Sequence, residues 1–494
     1  MELSADRGAL ITAAGSRIDV SGGTAHLDLT PAARAAGAPV RARFASAAGS
    51  IILRAPEGMV LAGALVGRAG DGPGAAGGSL TLAVTRKAGF LPPAFPPNPF
   101  PATPRTIVLG GAAGADAFAG VLAFDPARAA AGGFDRLSLT ADDAIRFARG
   151  LDLHLRGSLV LRAPALVAAP GVARVALGAA YVALGPQNPA TQGAPAPTGG
   201  AAVLDVDAGL IDLIGRTALQ GLHAVQLSSR GDLRLRGVAQ AGGDSLDGAF
   251  ALAGDLTLQA ARVYPTTFSR FTIRVPDGSG GSVRIAGGGV TAPPLSAGGE
   301  LRIRAPRIVQ AGVLQAPFGT LDLEASGALV LEAGSVTSTS AQGRLVPFGQ
   351  TRNSGQQWVY DVGYGVDQAP VITAPPAQHV RLAGADVEVR SGARVDLSGG
   401  GDLYAYEFVP GPGGSKDALA PANAPDTYAI LPGLVSPWAP FDEQAYLGST
   451  LRPGDGVYLA GGGGLAAGRY PLLPARYALL PGAFLVKAVA GFQD

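Results

Sequence analysis

Gly299-Glu300-Leu301-Arg302-Ile303-Arg304-Ala305-Pro306, followed by Gly319-Thr320-Leu321-Asp322-Leu323, decides the fold. In each phrase a glycine is followed by residues that alternate polar and apolar, the signature of a strand with one buried face. The step from Gly299 to Gly319 is 20 residues. The same phrase recurs at Gly49-Ser50-Ile51-Ile52-Leu53-Arg54-Ala55 and Gly78-Ser79-Leu80-Thr81-Leu82-Ala83. It returns at Gly157 to Ala163, Gly231 to Gly237, Gly254 to Ala260, Gly281 to Gly287 and Gly327 to Ala333. A coil of three short strands and three turns needs roughly 20–25 residues, so the spacing predicts a stacked repeat fold. Apolar residues never sustain the i, i+3, i+4, i+7 spacing of a helical solenoid. The glycines are expected to supply turn geometry that other residues resist.

Composition agrees with a folded β protein. Hydrophobic residues make up 47% of the chain but aromatics only 6%. The apolar content is therefore mostly Ala, Val, Leu and Ile, which tile flat strand faces well. With 74 Gly and 39 Pro in 494 residues the chain lies near the low-complexity range. Only 15% of residues are charged, however, and disorder needs high charge with low hydrophobicity. Net charge is +1, and Lys occurs only at 87, 416 and 487. The arginines are dispersed, with no basic stripe for nucleic acid and no polybasic run for a membrane surface. The absence of cysteine removes disulfides, zinc–thiolate sites and thiol catalysis together. Met1-Glu2-Leu3-Ser4-Ala5-Asp6-Arg7 shows no basic segment leading into an apolar one, so no signal peptide is visible. The most apolar stretch, 163–185, is broken by Pro164, Pro170 and Arg174 and is not a membrane helix.

These pieces predict an all-β parallel β-helix, a solenoid with loop excursions. Its interior is expected to be ladders of Val, Leu, Ile and Ala, with Arg, Asp, Thr and Ser outside. At about 4.8 Å per coil the chain would build on the order of 20 coils, a rod about 100 Å long. Residues 1–90 carry coils, 91–105 form a Pro-rich excursion, and 106–348 hold the main coils. Residues 349–382 leave the stack, 383–402 return to it, 403–445 form a second loop-rich excursion, and 446–494 make a strand-rich terminal segment. Ser16-Arg17-Ile18-Asp19-Val20-Ser21-Gly22-Gly23 returns almost unchanged as Ala393-Arg394-Val395-Asp396-Leu397-Ser398-Gly399-Gly400. The chain opens in mid-phrase and has no recognisable cap, although open edges invite aggregation. It reads as a piece of a longer protein.

The coil phrases, the Ile-Asp-Val-Ser-Gly-Gly words and the closing Leu472-Leu473-Pro474-Ala475-Arg476-Tyr477-Ala478-Leu479-Leu480-Pro481-Gly482 resemble the filamentous haemagglutinin family of large bacterial exoproteins. The likeness runs over essentially the whole chain, and the closing segment is its most specific part. It implies a right-handed parallel β-helix exported through an outer-membrane two-partner secretion transporter. It also implies an extracellular or outer-membrane-surface location and attachment to a receptor or glycan on a host or neighbouring cell. The chain departs from the family in lacking a signal peptide and an N-terminal secretion domain. It also lacks Asn ladders, with asparagine only at 98, 188, 353 and 423. The resulting expectation is a structural rod segment of an adhesin, with no enzymatic activity, no cofactor, no nucleic-acid partner and no integral membrane part. Two alternatives stand beside it: a carbohydrate-active β-helix enzyme, and the stalk of a contact-dependent toxin delivery protein.

Individual residues weigh less than the repeat. Arg230-Gly231-Asp232 is the one binding motif, a cation and a carboxylate on a turn of the integrin-recognition type. The repeat explains the same residues as a turn glycine and an outward aspartate. Paired acids suit sugar hydrolysis, and Asp142-Asp143 and Asp205/Asp207 are the candidates. Adjacent acids face one substrate only from a turn, whereas Asp205 and Asp207 share a strand face but have no His or Lys nearby in the sequence. Histidines 26, 154, 223 and 379 form no metal-binding or triad spacing, and His154 reads as an outward strand residue. Gly461 to Gly468 lacks the βαβ context of a dinucleotide loop, and Gly411 to Lys416 lacks the ending of a phosphate loop. Trp358, Tyr360 and Tyr364 suggest either a sugar platform or, more simply, packing of their excursion onto the coils.

Overall fold

The computed structural model describes residues 1–29, 40–72, 74–86, 103–111, 119–187, 194–240, 245–290, 292–434 and 436–488. Residues 91–102 of the expected Pro-rich excursion lie outside that set. The chain divides into two compact units. The first holds residues 1–211, 216–228 and 251–255, and the second holds 212–215, 229–250 and 256–494. Both are built from parallel strands stacked coil on coil, and the fold is a parallel β-helix.

In the second unit three walls can be followed strand by strand. One runs Ser269–Arg274, Glu300–Ala305, Thr320–Ala325, His379–Ala383. A second runs through 256–260, Ser282–Gly287, Arg307–Gln310, Ala328–Leu331 and Asp386–Val389. The third runs Asp232–Arg236, Arg262–Pro265, Val313–Gln315, Val336–Ser338, Arg394–Asp396. The registers stack like on like: Phe271, Leu301, Leu321 and Val380 form one ladder, and Ile273, Ile303, Leu323 and Leu382 the next. All but the last-coil members, Val380 and Leu382, are buried, each burial contributing about 1.5–3 kcal/mol. The interior is not wholly apolar. Gln310 is fully buried, and its amide donates to the Val336 carbonyl at 2.9 Å while its oxygen accepts from Gly312 N at 3.2 Å. A buried amide satisfied in this way costs little.

The first unit stacks in the same manner. Glu2–Ser4, Ser50–Arg54, Gly78–Val84, Phe134–Ala141 and Ser158–Arg162 form one wall. A second wall is out of chain order. Gly58–Leu61 is followed by Val121–Phe124, then by Thr106–Leu109, and only then by Ala144–Phe147.

The phrase glycines do something other than the expected turn geometry. Gly299 and Gly319 do not have positive φ. A Cβ on Gly319 would instead sit 2.0 Å from the Gly299 carbonyl oxygen of the coil below. Glycine is required there by the close approach of two backbones, which also lets Thr320 N donate to Gly299 O at 3.0 Å.

The excursions of the second unit are folded. Strands Leu345–Arg352, Gln357–Val359, Val371–Ile372 and Asp402–Tyr406 make a small sheet. Tyr360 is fully buried and stacks on Phe268 with ring centroids 4.5 Å apart. Trp358 donates its indole N–H to the Phe348 carbonyl at 2.8 Å, and Tyr364 donates its hydroxyl to the Gln240 carbonyl at 2.8 Å. Trp358 and Tyr360 are engaged in packing, whereas Tyr364 is 39% exposed and tied through its hydroxyl. Farther on, Thr427–Ile430 pairs antiparallel with Leu473–Pro474 and Phe484–Lys487. Ala429, Ala445, Leu473, Tyr477 and Leu480 form the apolar cluster of this segment. The short helix Glu443–Tyr446 is capped by Asp442, which accepts from Ala445 N at 2.9 Å.

Candidate functional site

A polar groove of about 430 Å³ lies on the first unit. Four neighbouring strands supply it. Strand Leu151–His154 pairs in register with Arg174–Leu184, which sets Asp152 beside Ala176 and His154 beside Gly178. Strand alternation turns Asp152 and His154 outward while Leu153 is buried between them. Asp205 and Asp207 project from the long strand Thr198–Ile214, and Gln226 and Ser228 from Arg216–Ser229.

Two ion pairs organise the groove. Arg174 Nε donates to Asp205 Oδ2 at 2.6 Å. That hydrogen bond raises the guanidinium above its ordinary pKa. His154 Nδ1 lies 2.9 Å from Asp152 Oδ1, which fixes the ring and directs Nε2 away from the carboxylate. The ring lies across Gly178, where a Cβ would fall 2.3 Å from His154 Cδ2. The groove thus presents carboxylates, a guanidinium, an imidazole, an amide and a hydroxyl on a flat strand face. Such a mixture suits hydrogen bonding to a polyhydroxylated ligand. Sequence reading found Asp205 and Asp207 but left them without a histidine. The missing His154 is about fifty residues earlier in the chain, brought in by coil stacking. The signal that could have found it is the coil period.

The other sequence candidates fall elsewhere. Asp142 and Asp143 do sit on a bend, after Phe134–Ala141, and so converge. Their target is arginine: Asp142 accepts from Arg86 N at 2.5 Å, and Asp143 accepts from Arg86 Nη2 at 2.8 Å and from Arg105 N at 2.6 Å. Burial pushes the Asp142 carboxyl above its usual range, against the pull of Arg86. The pair clamps the backbone at Arg86 and Arg105. In the motif Arg230-Gly231-Asp232, Arg230 and Gly231 form a bend and Arg230 is exposed. Asp232 begins a strand and is held by Arg262 through two hydrogen bonds of 2.8 and 2.9 Å. Its carboxylate joins neighbouring coils. His26, His223 and His379 are exposed on strands and are not gathered with other ligating residues. Among the described residues no cluster of His, Cys, Asp and Glu has the makings of a metal site. No described helix is long and apolar enough to cross a membrane.

A second polar cluster, in the second unit, escaped sequence reading altogether. Asp212 is fully buried and accepts from Arg234 Nε at 2.6 Å, Arg234 Nη2 at 2.9 Å and Arg236 Nη1 at 3.0 Å. Burial alone would raise its pKa, but the two guanidinium groups hold the carboxyl below the ordinary range. Arg234 also donates to the Ala439 carbonyl at 2.9 Å, and the Arg236 guanidinium lies 3.4 Å from the centroid of the Phe441 ring. The cluster locks residues 439–441 onto the coils. Within the phrase Gly231 to Gly237, Arg234 and Arg236 read as solvent-facing strand arginines, and the covering segment makes them buried.

No family model matches the chain, and no curated protein or solved structure matches it.

Proposed function

We propose that the chain is a structural rod segment of a large secreted or surface-exposed bacterial adhesin of the filamentous haemagglutinin kind. In its full-length parent it would leave the cell through an outer-membrane two-partner secretion transporter. One observation carries the reading: outward charges are spent on joining consecutive coils. Asp322 takes Arg302 from the coil below at 2.9 Å and Arg381 from the coil above at 3.1 Å. Arg304 reaches Glu324 at 3.1 Å, and Arg262 reaches Asp232 at 2.8 Å. The exposed Arg304–Glu324 pair contributes only about 0–1 kcal/mol. In series the pairs fix register along a repeated scaffold, which is the requirement of a spacer. Beads coated with the chain are expected to be retained on cell layers several-fold above beads coated with an unrelated β protein. Retention equal to that control on every cell type tried would remove the adhesive part of the reading. Asp232→Glu tests the tripeptide separately: lost retention assigns it to receptor binding, and unchanged retention leaves Asp232 as a coil tie.

The groove at His154, Asp205 and Asp207 favours a second reading, a carbohydrate-binding or carbohydrate-cleaving face. Residues two apart on a strand are separated by about 6.5–7 Å, the lower edge of the spacing used by inverting glycosidases. Asp205 is already bonded by Arg174 at 2.6 Å, an arrangement that suits ligand binding better than proton donation. Binding to an oligosaccharide array that disappears in Asp207→Asn supports this reading, and release of reducing ends would extend it to cleavage. An array with no bound glycan rejects it.

A further inference from the structure

The coil formed by His379–Ala383, Asp386–Val389 and Arg394–Asp396 has a neighbour on one side only. Among the described residues these strands pair with Thr320–Ala325, Ala328–Leu331 and Val336–Ser338 and with nothing beyond. The chain then leaves the stack, since Asp402–Tyr406 pairs with Leu345–Arg352. The open side shows in side-chain exposure. Val387 and Val389 stand over Leu329 and Leu331, which are fully buried, yet are 46% and 53% exposed. Val395 and Leu397 are 37% and 47% exposed. Core positions of a coil are thus left bare beside a row of unpaired backbone groups, a template for another strand.

We propose that this open end is a homodimer surface, on which a second copy docks by antiparallel pairing of Asp386–Val389 with its own counterpart. The sequence of the edge argues for a copy of itself. In Asp386-Val387-Glu388-Val389-Arg390, antiparallel pairing about Glu388 sets each Val387 opposite Val389 of the other copy. It also sets each Asp386 opposite Arg390 of the other copy. Valines meet on the inward face, so the apolar interior continues from one copy into the next, and the flanking charges are opposite in sign. The two Glu388 side chains meet on the axis, each already compensated by its own Arg390 at 3.1 Å. The arrangement is self-complementary and closed, as a two-fold interface must be.

The test is the mass of the full chain in solution, by light scattering after size exclusion over a hundredfold range of concentration. The expected result is a species of twice 49.1 kDa at the upper end of the range. Val387→Lys/Val389→Lys is expected to return the chain to a single 49.1 kDa species with an unchanged β circular dichroism spectrum. Both valines are already half-exposed, so the lysines do not disturb a filled core. Asp386→Arg, which sets like charges against Arg390, is expected to raise the dimer dissociation constant at least tenfold. A wild-type monomer throughout the range overturns the proposal. So does an open-ended series of larger species, which marks head-to-tail stacking, or a dimer unaffected by the lysine pair.

Discussion

Replacing Asp212 by Asn is the sharpest single test of how the second unit is held together. The substitution keeps shape and hydrogen-bonding capacity but removes the buried carboxylate charge that Arg234 and Arg236 are bonded to. Both guanidinium groups are nearly inaccessible, with side-chain exposures of 3% and 9%. Water cannot compensate them without opening the contact to Ala439 and Phe441. Breaking a buried pair by removing one partner costs about 3–5 kcal/mol. By contrast, Arg304→Met, which removes the half-exposed partner of Glu324, is expected to cost under about 1 kcal/mol. The assay is built into the sequence: Trp358 and Trp438 are the two tryptophans, and both lie in the second unit. Their fluorescence during urea unfolding reports that unit. With a slope of about 2–3 kcal/mol per molar urea, the Asp212→Asn midpoint falls by more than about 1 M, whereas the Arg304→Met midpoint barely moves. The acid dependence has a fixed sign. The folded-state pKa of Asp212 is depressed, so its stabilisation is present above the unfolded value near 4 and is lost as pH falls through the folded pKa. The gap between wild type and variant therefore narrows in acid. A variant midpoint within about 0.3 M of wild type at neutral pH, or a gap that widens in acid, would refute the assignment of Asp212 as the charge that closes this contact.

Three further outcomes follow from the structure. Burial lifts the Asp442 carboxyl to about 6, despite its bonds from Ala445 N and the Tyr360 hydroxyl. A raised folded pKa gives stability that is full below about 4 and lost as pH rises through about 6, on the order of 3 kcal/mol over that window. Tryptophan-monitored stability should decline over that interval in wild type and decline clearly less in Asp442→Asn, where the neighbouring Glu443, also raised by burial, still contributes. Gly319→Ala drives a methyl into the Gly299 carbonyl and should cost about 1–3 kcal/mol by urea unfolding, while Gly334→Ala, which meets nothing within 4 Å, costs only its positive-φ strain. Gly178→Ala should displace the His154 ring and broaden or shift its NMR resonances with little change in stability. An unmoved His154 spectrum would show that the ring does not lie on that strand.

The recurring phrase made the β-helix legible because each glycine is followed at once by a strand: Ser50–Arg54, Ser158–Arg162, Ser282–Gly287, Glu300–Ala305 and Thr320–Ala325 all begin one residue after it. Local alternation encodes local structure, and a parallel stack needs little else. What the phrase hides is whatever depends on a second layer. Arg234 and Arg302 occupy equivalent places in nearly identical words. One is buried under residues 439–441 and the other is half-exposed on the outer face. Alternation reports the side of the strand but not what covers it. The groove was half visible for a similar reason. Asp205 and Asp207 are two apart in sequence, whereas His154 joins them only through registers set by coils of unequal length. Proline and glycine punctuate the excursions and give them the signature of loops. Tyr360, Phe348 and Phe268 show that few but large aromatic side chains suffice to give such a segment a core.

The out-of-order wall of the first unit bears on how the chain acquires its shape. Thr106–Leu109 does not rest on Gly58–Leu61; the intervening place belongs to Val121–Phe124, made fifteen residues later. A polypeptide that becomes available from its N-terminus onward cannot wind this stretch turn by turn. Thr106–Leu109 reaches its final pairing only once the later strand lies beneath it. Winding of the first unit therefore cannot run strictly in chain order, and a chain halted between residues 109 and 121 would lack the strand that separates Gly58–Leu61 from Thr106–Leu109.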